Sequence, residues 1–185
     1  MQRLLPLALI LALALLAAGC GSKKSPAPTT TADWANGVCT AIDTWATSVK
    51  SSVNSITAGN VSKTSLQSAG NDMKTATDTL QTDLKALGKP NTTAGQQAKD
   101  SIDQLSTDLK TDADSIKTAV DGASGISGAL TAAASVTSTL TTMKTQISST
   151  YTTLKGLDAK GELKTAFDQS SSCTKLTDQL SSLTS

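Results

Sequence analysis

From residue 34 onward, apolar side chains recur at intervals of three and four, the spacing that gathers them on one face of an α-helix. Trp34, Val38, Ile42, Trp45, Val49, Val53 and Ile56 form a first stripe, and Asp33 stands where a helix cap is expected. Leu66, Ala69, Met73, Ala76, Leu80, Leu84 and Leu87 form a second, closed by Gly88 with Pro90 beyond it. The third runs through Ala98, Ile102, Leu105, Leu109, Ala113, Ile116 and Val120, and breaks near Gly122 and Gly125. A fourth takes in Leu130, Ala133, Val136, Leu140, Met143, Ile147, Tyr151 and Leu154 and ends at Gly156. The last, Leu163, Ala166, Phe167, Cys173, Leu176, Leu180 and Leu183, is shorter and less apolar in its middle.

Segments of about 25 residues make helices roughly 35 to 40 Å long, and connections this short force antiparallel neighbours. The expected fold is all-α: an antiparallel up-down bundle of four long helices plus a shorter C-terminal helix. Trp34, Trp45, Tyr151 and Phe167 are the only aromatic residues, which argues against a sandwich or barrel. Leu80-Gln-Thr-Asp-Leu-Lys85 and Leu105-Ser-Thr-Asp-Leu-Lys110 look alike. With so few residue types in use, convergent helical patterning explains the likeness better than duplication.

Ahead of the stripes, Leu4 to Gly19 form an apolar run of 16 residues interrupted only by Pro6, with Arg3 before it. A bilayer span needs about 20. A short run ending in Ala17, Ala18 and Gly19 fits a secretory signal better than a retained helix. Leu16-Ala-Ala-Gly-Cys20 resembles the lipobox of bacterial lipoproteins, in which the cysteine becomes the lipidated first residue of the mature chain. That family most often has Leu three before the cysteine; here Ala17 holds that place and Leu16 stands one further back. An ordinary signal peptide cut at a small-x-small site is the competing reading. The resemblance implies a signal peptide over 1–19, a lipidated Cys20 bearing palmitate-type chains with a flexible linker over 20–32, and a helical bundle domain over 33–185. Pro26 and Pro28 in the linker block helix, and nothing there builds a core.

Three cysteines in an exported chain leave one odd thiol. If Cys20 is acylated, Cys39 and Cys173 remain, and the oxidising side of a membrane permits them to join. In the expected bundle the end of the fourth helix returns beside the start of the first, so the fifth begins there and brings Cys173 near Cys39. A disulfide with a Cα separation of about 4.4 to 6.8 Å is expected, against the alternative of two separate buried thiols.

The 16 basic residues include Arg3 in the leader, leaving 15 Lys against 15 acidic residues in the rest of the chain. A neutral surface without Arg lacks the footprint of a nucleic-acid binder. Histidine is absent, which removes the commonest general base and metal ligand. No phosphate-binding loop, paired-cysteine zinc motif or di-iron Glu/His set is present, Glu162 being the single glutamate. The domain therefore reads as no enzyme, with no cofactor and no metal. Asp108, Asp112 and Asp114 suggest cation ligands, but Ile116 and Lys117 stand where further oxygen ligands should be. A solvated face balanced by Lys110 and Lys117 is the expectation. Trp34 and Trp45 flank Cys39 on the apolar stripe and are expected to pack in the core around the disulfide. Asn60-Val-Ser62 and Asn91-Thr-Thr93 match a glycosylation acceptor pattern that in a bacterial chain reads as chance.

The lipobox, the Thr/Pro tether, Trp34-Ala-Asn-Gly-Val-Cys39 with Trp45 beyond, and Ala166-Phe167 leading to Ser172-Cys173 resemble the small helical lipoproteins of actinobacteria. The likeness implies Cys20 as acyl site, Cys39 with Cys173 as bridge, and an address in the envelope. The expected role is that of a monomer anchored to the membrane by its lipid and recognising another envelope protein. The alternative is a carrier holding a small apolar ligand or lipid in a cavity among Ala76, Ala113 and Ala133.

Overall fold

The computed structural model describes residues 30–57 and 61–181. The proposed signal peptide, Cys20, the tether up to residue 29, Asn60 and Leu183 lie outside the described residues. Six helices make up the described chain: α1 (Thr31–Thr57), α2 (Lys63–Ala86), α3 (Gly95–Asp121), α4 (Gly125–Gly156), α5 (Glu162–Gln169) and α6 (Ser171–Ser181). The fold is an all-helical bundle, as the periodicity predicts.

Each boundary has a local cause. Thr30, rather than Asp33, caps α1: its hydroxyl accepts from the Asp33 amide at 3.1 Å and donates to Asp33 Oδ2 at 2.7 Å. Asp33 therefore sits in the first turn, where its carboxylate also meets the positive end of the helix dipole. Ser62 and Ser65 form a reciprocal capping box at the start of α2. Gly88, at φ 64°, terminates α2 in the left-handed region that glycine adopts without strain. Between α4 and α5, the buried Asp158 accepts from the amides of Lys160 and Glu162 at 2.9 and 3.1 Å, satisfying donors at the new helix start.

The segment expected to be one C-terminal helix is two. Ser170, in an extended conformation, ends α5 and starts α6 by presenting its carbonyl and hydroxyl to the Cys173 amide. Serine competes well for such amides, and the run Ser170-Ser-Ser172 ahead of Cys173 is the sequence signal for this break.

Cross-helix contacts define the packing. Trp34 Nε1 donates to the Gly88 carbonyl at 3.1 Å and Trp45 Nε1 to Thr77 Oγ1 at 3.0 Å, so numbers rise along α1 as they fall along α2. Between α2 and α3, Gly70 faces Val120 and Lys117. Further along, Lys74, Asp78, Lys110 and Asp114 alternate around a ring with N–O distances of 2.8 to 3.9 Å. These side chains are a third to a half exposed, where solvent screens each pair and little stability is gained. They specify register more than stability. Burial holds the bundle: Trp34, Trp45, Phe167, Leu66, Met73, Leu109, Ile116, Met143 and Ile147 are among the largest side chains excluded from water.

The inward stripes of α1, α2 and α3 are those read from the sequence. On α4 the register differs at the start. Leu130 is 59 % exposed, while Ala129 and Ala132 face inward. From Val136 to Leu154 the expected positions return. Small Ala side chains take the inward positions of the first turns of α4, and Leu130 turns out with Ile126.

Gly95 opens α3 under the Pro90 carbonyl: a Cβ there would lie 2.1 Å from that oxygen. Gly95→Ala is expected to destabilise the fold by about 1–3 kcal/mol in chemical denaturation. Gly156→Ala, which meets nothing within 4 Å, should be neutral or mildly stabilising.

Candidate functional site

The C-terminal helix is laid along the first by a ladder whose offset is 134 residues at Asn36–Ser170 and 132 at the later pairs. Ser170 donates to Asn36 at 3.2 Å, Thr40 to Ser172 at 3.1 Å, Lys175 to Asp43 at 3.1 Å and Thr47 to Gln179 at 3.1 Å. Numbers rise together on both helices, so α6 runs parallel to α1. In the middle of this seam Cys39 and Cys173 are bonded, with a Cα separation of 4.9 Å across 134 residues of sequence. Both sulfurs are sealed from solvent, the two cysteines being 0 and 1 % exposed. A buried disulfide of this kind is a structural staple rather than a reactive thiol pair. The expected pairing of Cys39 with Cys173 is thus present; Cys20 lies outside the described residues.

Trp34 and Trp45 are both core residues, and their N–H groups turn toward α2. Trp34 also meets Phe167 edge-on at 6.0 Å, and Phe167 meets Tyr151 edge-on at 5.3 Å. Three of the four aromatic side chains therefore stack where α1, α4 and α5 converge. Lys155 lies 5.2 Å over the Tyr151 ring and pairs with Asp168, which also takes Lys164 at 2.5 Å. The two lysines hold the Asp168 carboxyl below its ordinary range.

The three clustered aspartates do not converge. Asp114 pairs with Lys110 and Lys74, Asp108 accepts from Gln104 at 2.7 Å, and Asp112 turns toward Gln146 on α4. Lys117 pairs with Asp121 rather than with these aspartates. Among the described residues, no three His, Cys, Asp or Glu side chains come within reach of one metal ion. No described helix is long and apolar enough to cross a membrane.

Asp112 departs from a simple solvated face. Burial pushes its carboxyl up and the neighbouring Asp108 adds to this, while contact with Gln146 draws it back. Asp112 Oδ2 and Gln146 Oε1 are both buried without a partner among the described residues. The buried Oδ2 without a donor leaves the ionised carboxylate under-satisfied. The sequence pattern did not reveal this, because the partner lies 34 residues away on another helix.

Clefts of about 250 to 550 Å³ open on the surface. Two lie along the exposed face of α4, which is lined by hydroxyls such as Thr141, Thr145 and Ser149. A third follows the α1–α2 seam past Trp45 and Ala76 with Asp72 and Asp83 at its rim. A fourth lies between α4 and α6. None of these brings Ala76, Ala113 and Ala133 together as the carrier expectation requires. Asn91, in the second glycosylation-like triplet, is exposed; Ser62 of the first serves as the α2 cap. No known protein family, curated protein or solved structure matches this chain.

Two measurements follow from this geometry. Closing a loop of well over 100 residues stabilises a fold by about 5 kcal/mol through lost chain entropy, so reduction, or Cys39→Ser with Cys173→Ser, is expected to lower Tm by about 10 °C or more. An unchanged Tm would refute the role given to the staple. For Asp112, the folded-state carboxyl sits above its ordinary value of 3.8, so the protonated form is favoured by folding. The penalty is present at neutral pH and disappears as pH falls below that ordinary value. Asp112→Asn should therefore raise Tm at pH 7 and lose its advantage in acid.

Proposed function

We propose that this chain is a lipid-anchored exported protein, held on the outer face of the cytoplasmic membrane, whose bundle acts without catalysis as a structural or protein-interaction module of the cell envelope. One observation carries the reading. Cys39 and Cys173 are joined to each other, so Cys20 is the unmatched thiol, and it stands at the end of the apolar run in Leu16-Ala-Ala-Gly-Cys20. Acylation gives that thiol a use on the oxidising side of a membrane.

In this reading residues 1–19 are removed as a signal peptide, and Cys20 carries a thioether-linked diacylglycerol. Two palmitate-type chains, at about 0.8 kcal/mol for each buried CH₂, make attachment stable where one would be marginal. The four long helices alternate up and down as antiparallel neighbours. The opposed contact order of α1 with α2 and of α2 with α3 favours that arrangement. The bundle end that carries Thr31, the α2–α3 turn and the α4–α5 turn is then nearest the tether. A lack of histidine and arginine in the exported part, with balanced Lys and Asp, suits recognition of a neighbouring envelope protein rather than hydrolysis or nucleic-acid binding. The protein acts as a monomer in this reading.

Intact mass of the membrane-extracted protein tests the proposal. The expected mass lacks residues 1–19, carries the diacylglycerol and an acyl chain, and rises by one hydrogen pair on reduction. Cys20→Ala should leave the precursor uncut, whereas Cys39→Ser should lower stability yet keep the anchor. Membrane attachment and processing unaltered in Cys20→Ala would overturn the reading.

A further inference from the structure

We infer that the outward face of α4 is a membrane-docking surface: with Cys20 anchored, the bundle lies on its α4 flank and sets Ile126 and Leu130 into the boundary of a zwitterionic bilayer. This deepens the anchored-module reading and rests on it. Among the described residues, the exposed large aliphatic side chains are Val61, Ile126 and Leu130. They share one end of the bundle, because Gln67 near the start of α2 reaches Asp121 at the end of α3, and α4 begins four residues later. Ile126 is 83 % exposed and stands one turn from Leu130 on the same helix face. Two adjacent aliphatic residues held in water on an otherwise well-buried fold mark an interaction surface.

The rest of α4 suits lipid. It has no carboxylate along its whole length, and residues 122–143 hold no charged side chain at all, whereas α1, α2 and α3 each carry at least two carboxylates. Its outward threonines do not need water for their hydroxyl protons: Thr131, Thr137, Thr141, Thr145 and Thr152 each donate to the carbonyl four residues back. A hydroxyl satisfied within its own helix costs less to bring against a bilayer than one that must give up water. The two lysines of α4 are engaged: Lys155 pairs with Asp168, and Lys144 has an interaction of its own. Asp108 borders the face from α3. With no cation free to select an anionic head group, apolar contact decides, and a zwitterionic surface is the partner this face fits.

The anchor sets the geometry. Trp34, in the first turn of α1, meets Phe167, which meets Tyr151, so the chain enters the bundle beside the last turns of α4. Cys20 precedes Thr30 by ten residues, a span of at most about 35 Å. Ile126 lies 25 residues before Tyr151 on the same helix, about 38 Å away along its axis. Lipid anchor and aliphatic pair therefore serve opposite ends of one flank. Attachment at the first raises the effective concentration of the second at the bilayer, so two side chains can dock a protein they would not hold alone.

The test reconstitutes the full acylated chain in phosphatidylcholine vesicles and reads flotation together with quenching of an added tryptophan by brominated lipid. Trp34 and Trp45 are buried and give the unquenched baseline. Ile126→Trp is expected to be quenched, alike at low and high salt. Thr75→Trp, at an exposed position in the α1–α2 groove, should not be. Adding Leu130→Asp to Ile126→Trp should cut the docked-to-free ratio about tenfold or more, the scale of one aliphatic side chain returned to water, with Tm unchanged. Vesicles that float with the protein but leave Ile126→Trp unquenched, or quench Thr75→Trp equally, overturn the inference and leave the anchor standing. So does a crosslinked dimer through α4 that Leu130→Asp dissolves, the occupant then being a second copy. A chain that does not float refutes the anchored reading and this inference with it.

Discussion

The bond between Cys39 and Cys173 ties the first long helix to the last, and the packing of the C-terminal third depends on it. α6 is only 11 residues and α5 only 8, lengths at which an isolated helix is not stable in water. Their place on the bundle is secured by burial of Leu163, Phe167, Leu176 and Leu180, by the parallel ladder from Asn36–Ser170 to Thr47–Gln179, and by the covalent link at its middle. The ladder contacts are mostly exposed and individually weak. The sulfur bond turns them from a loose register into a fixed one.

A staple matters because the rest of the chain is built from modest materials. Many exposed helical positions are Thr or Ser, whose hydroxyls bond back to the carbonyl four residues earlier, as in Thr75, Thr107, Thr141 and Thr152. Such residues are weaker helix formers than Ala or Leu. Several inward positions are only Ala, including Ala69, Ala98, Ala113 and Ala132, which permit close helix approach but contribute little buried area. Large side chains are concentrated instead: Trp34, Tyr151 and Phe167 meet at one place, and Trp45 bonds to Thr77 about three turns further along α1. Hydrogen bonding of both indoles lets these rings be buried without an orphaned donor.

Periodicity located the inward faces of the first three helices, because their apolar stripes are continuous and flanked by charge; Ala35, Ala41, Ala46, Gly70, Thr77 and Ser106 are buried beside those stripes and were not read from them. It was less informative where those conditions fail. The start of α4 has Ile126 and Leu130 outside and Ala129 and Ala132 inside, an inversion that hydrophobicity alone cannot foresee, since close approach rewards the smaller residue. The break at Ser170 was hidden because the apolar spacing from Leu163 to Leu180 passes through it nearly in phase. Thr30 displaced Asp33 as cap because both are good cap residues three positions apart. The pairing of Cys39 with Cys173 was readable from topology, whereas the contact of Asp112 with Gln146 and the α4–α6 cleft arise between helices with no shared local pattern.

That cleft is a consequence of the staple's position. α6 is held against α1 at a fixed offset, so it cannot slide toward α4. α5 spans only about 12 Å at 1.5 Å per residue and covers α4 just at its final turns, where Phe167 meets Tyr151 and Asp168 meets Lys155. Beyond α5, the turns of α4 from Thr152 back to Lys144 face Leu176 and Leu180 across a gap that neither helix can close alone. Closing it would need α6 to leave α1, breaking the ladder and straining the covalent link. The bond that completes the core thereby fixes where α6 can lie, and the seam beside α4 is left as a surface cleft whose Leu176 and Leu180 side stays buried in the core.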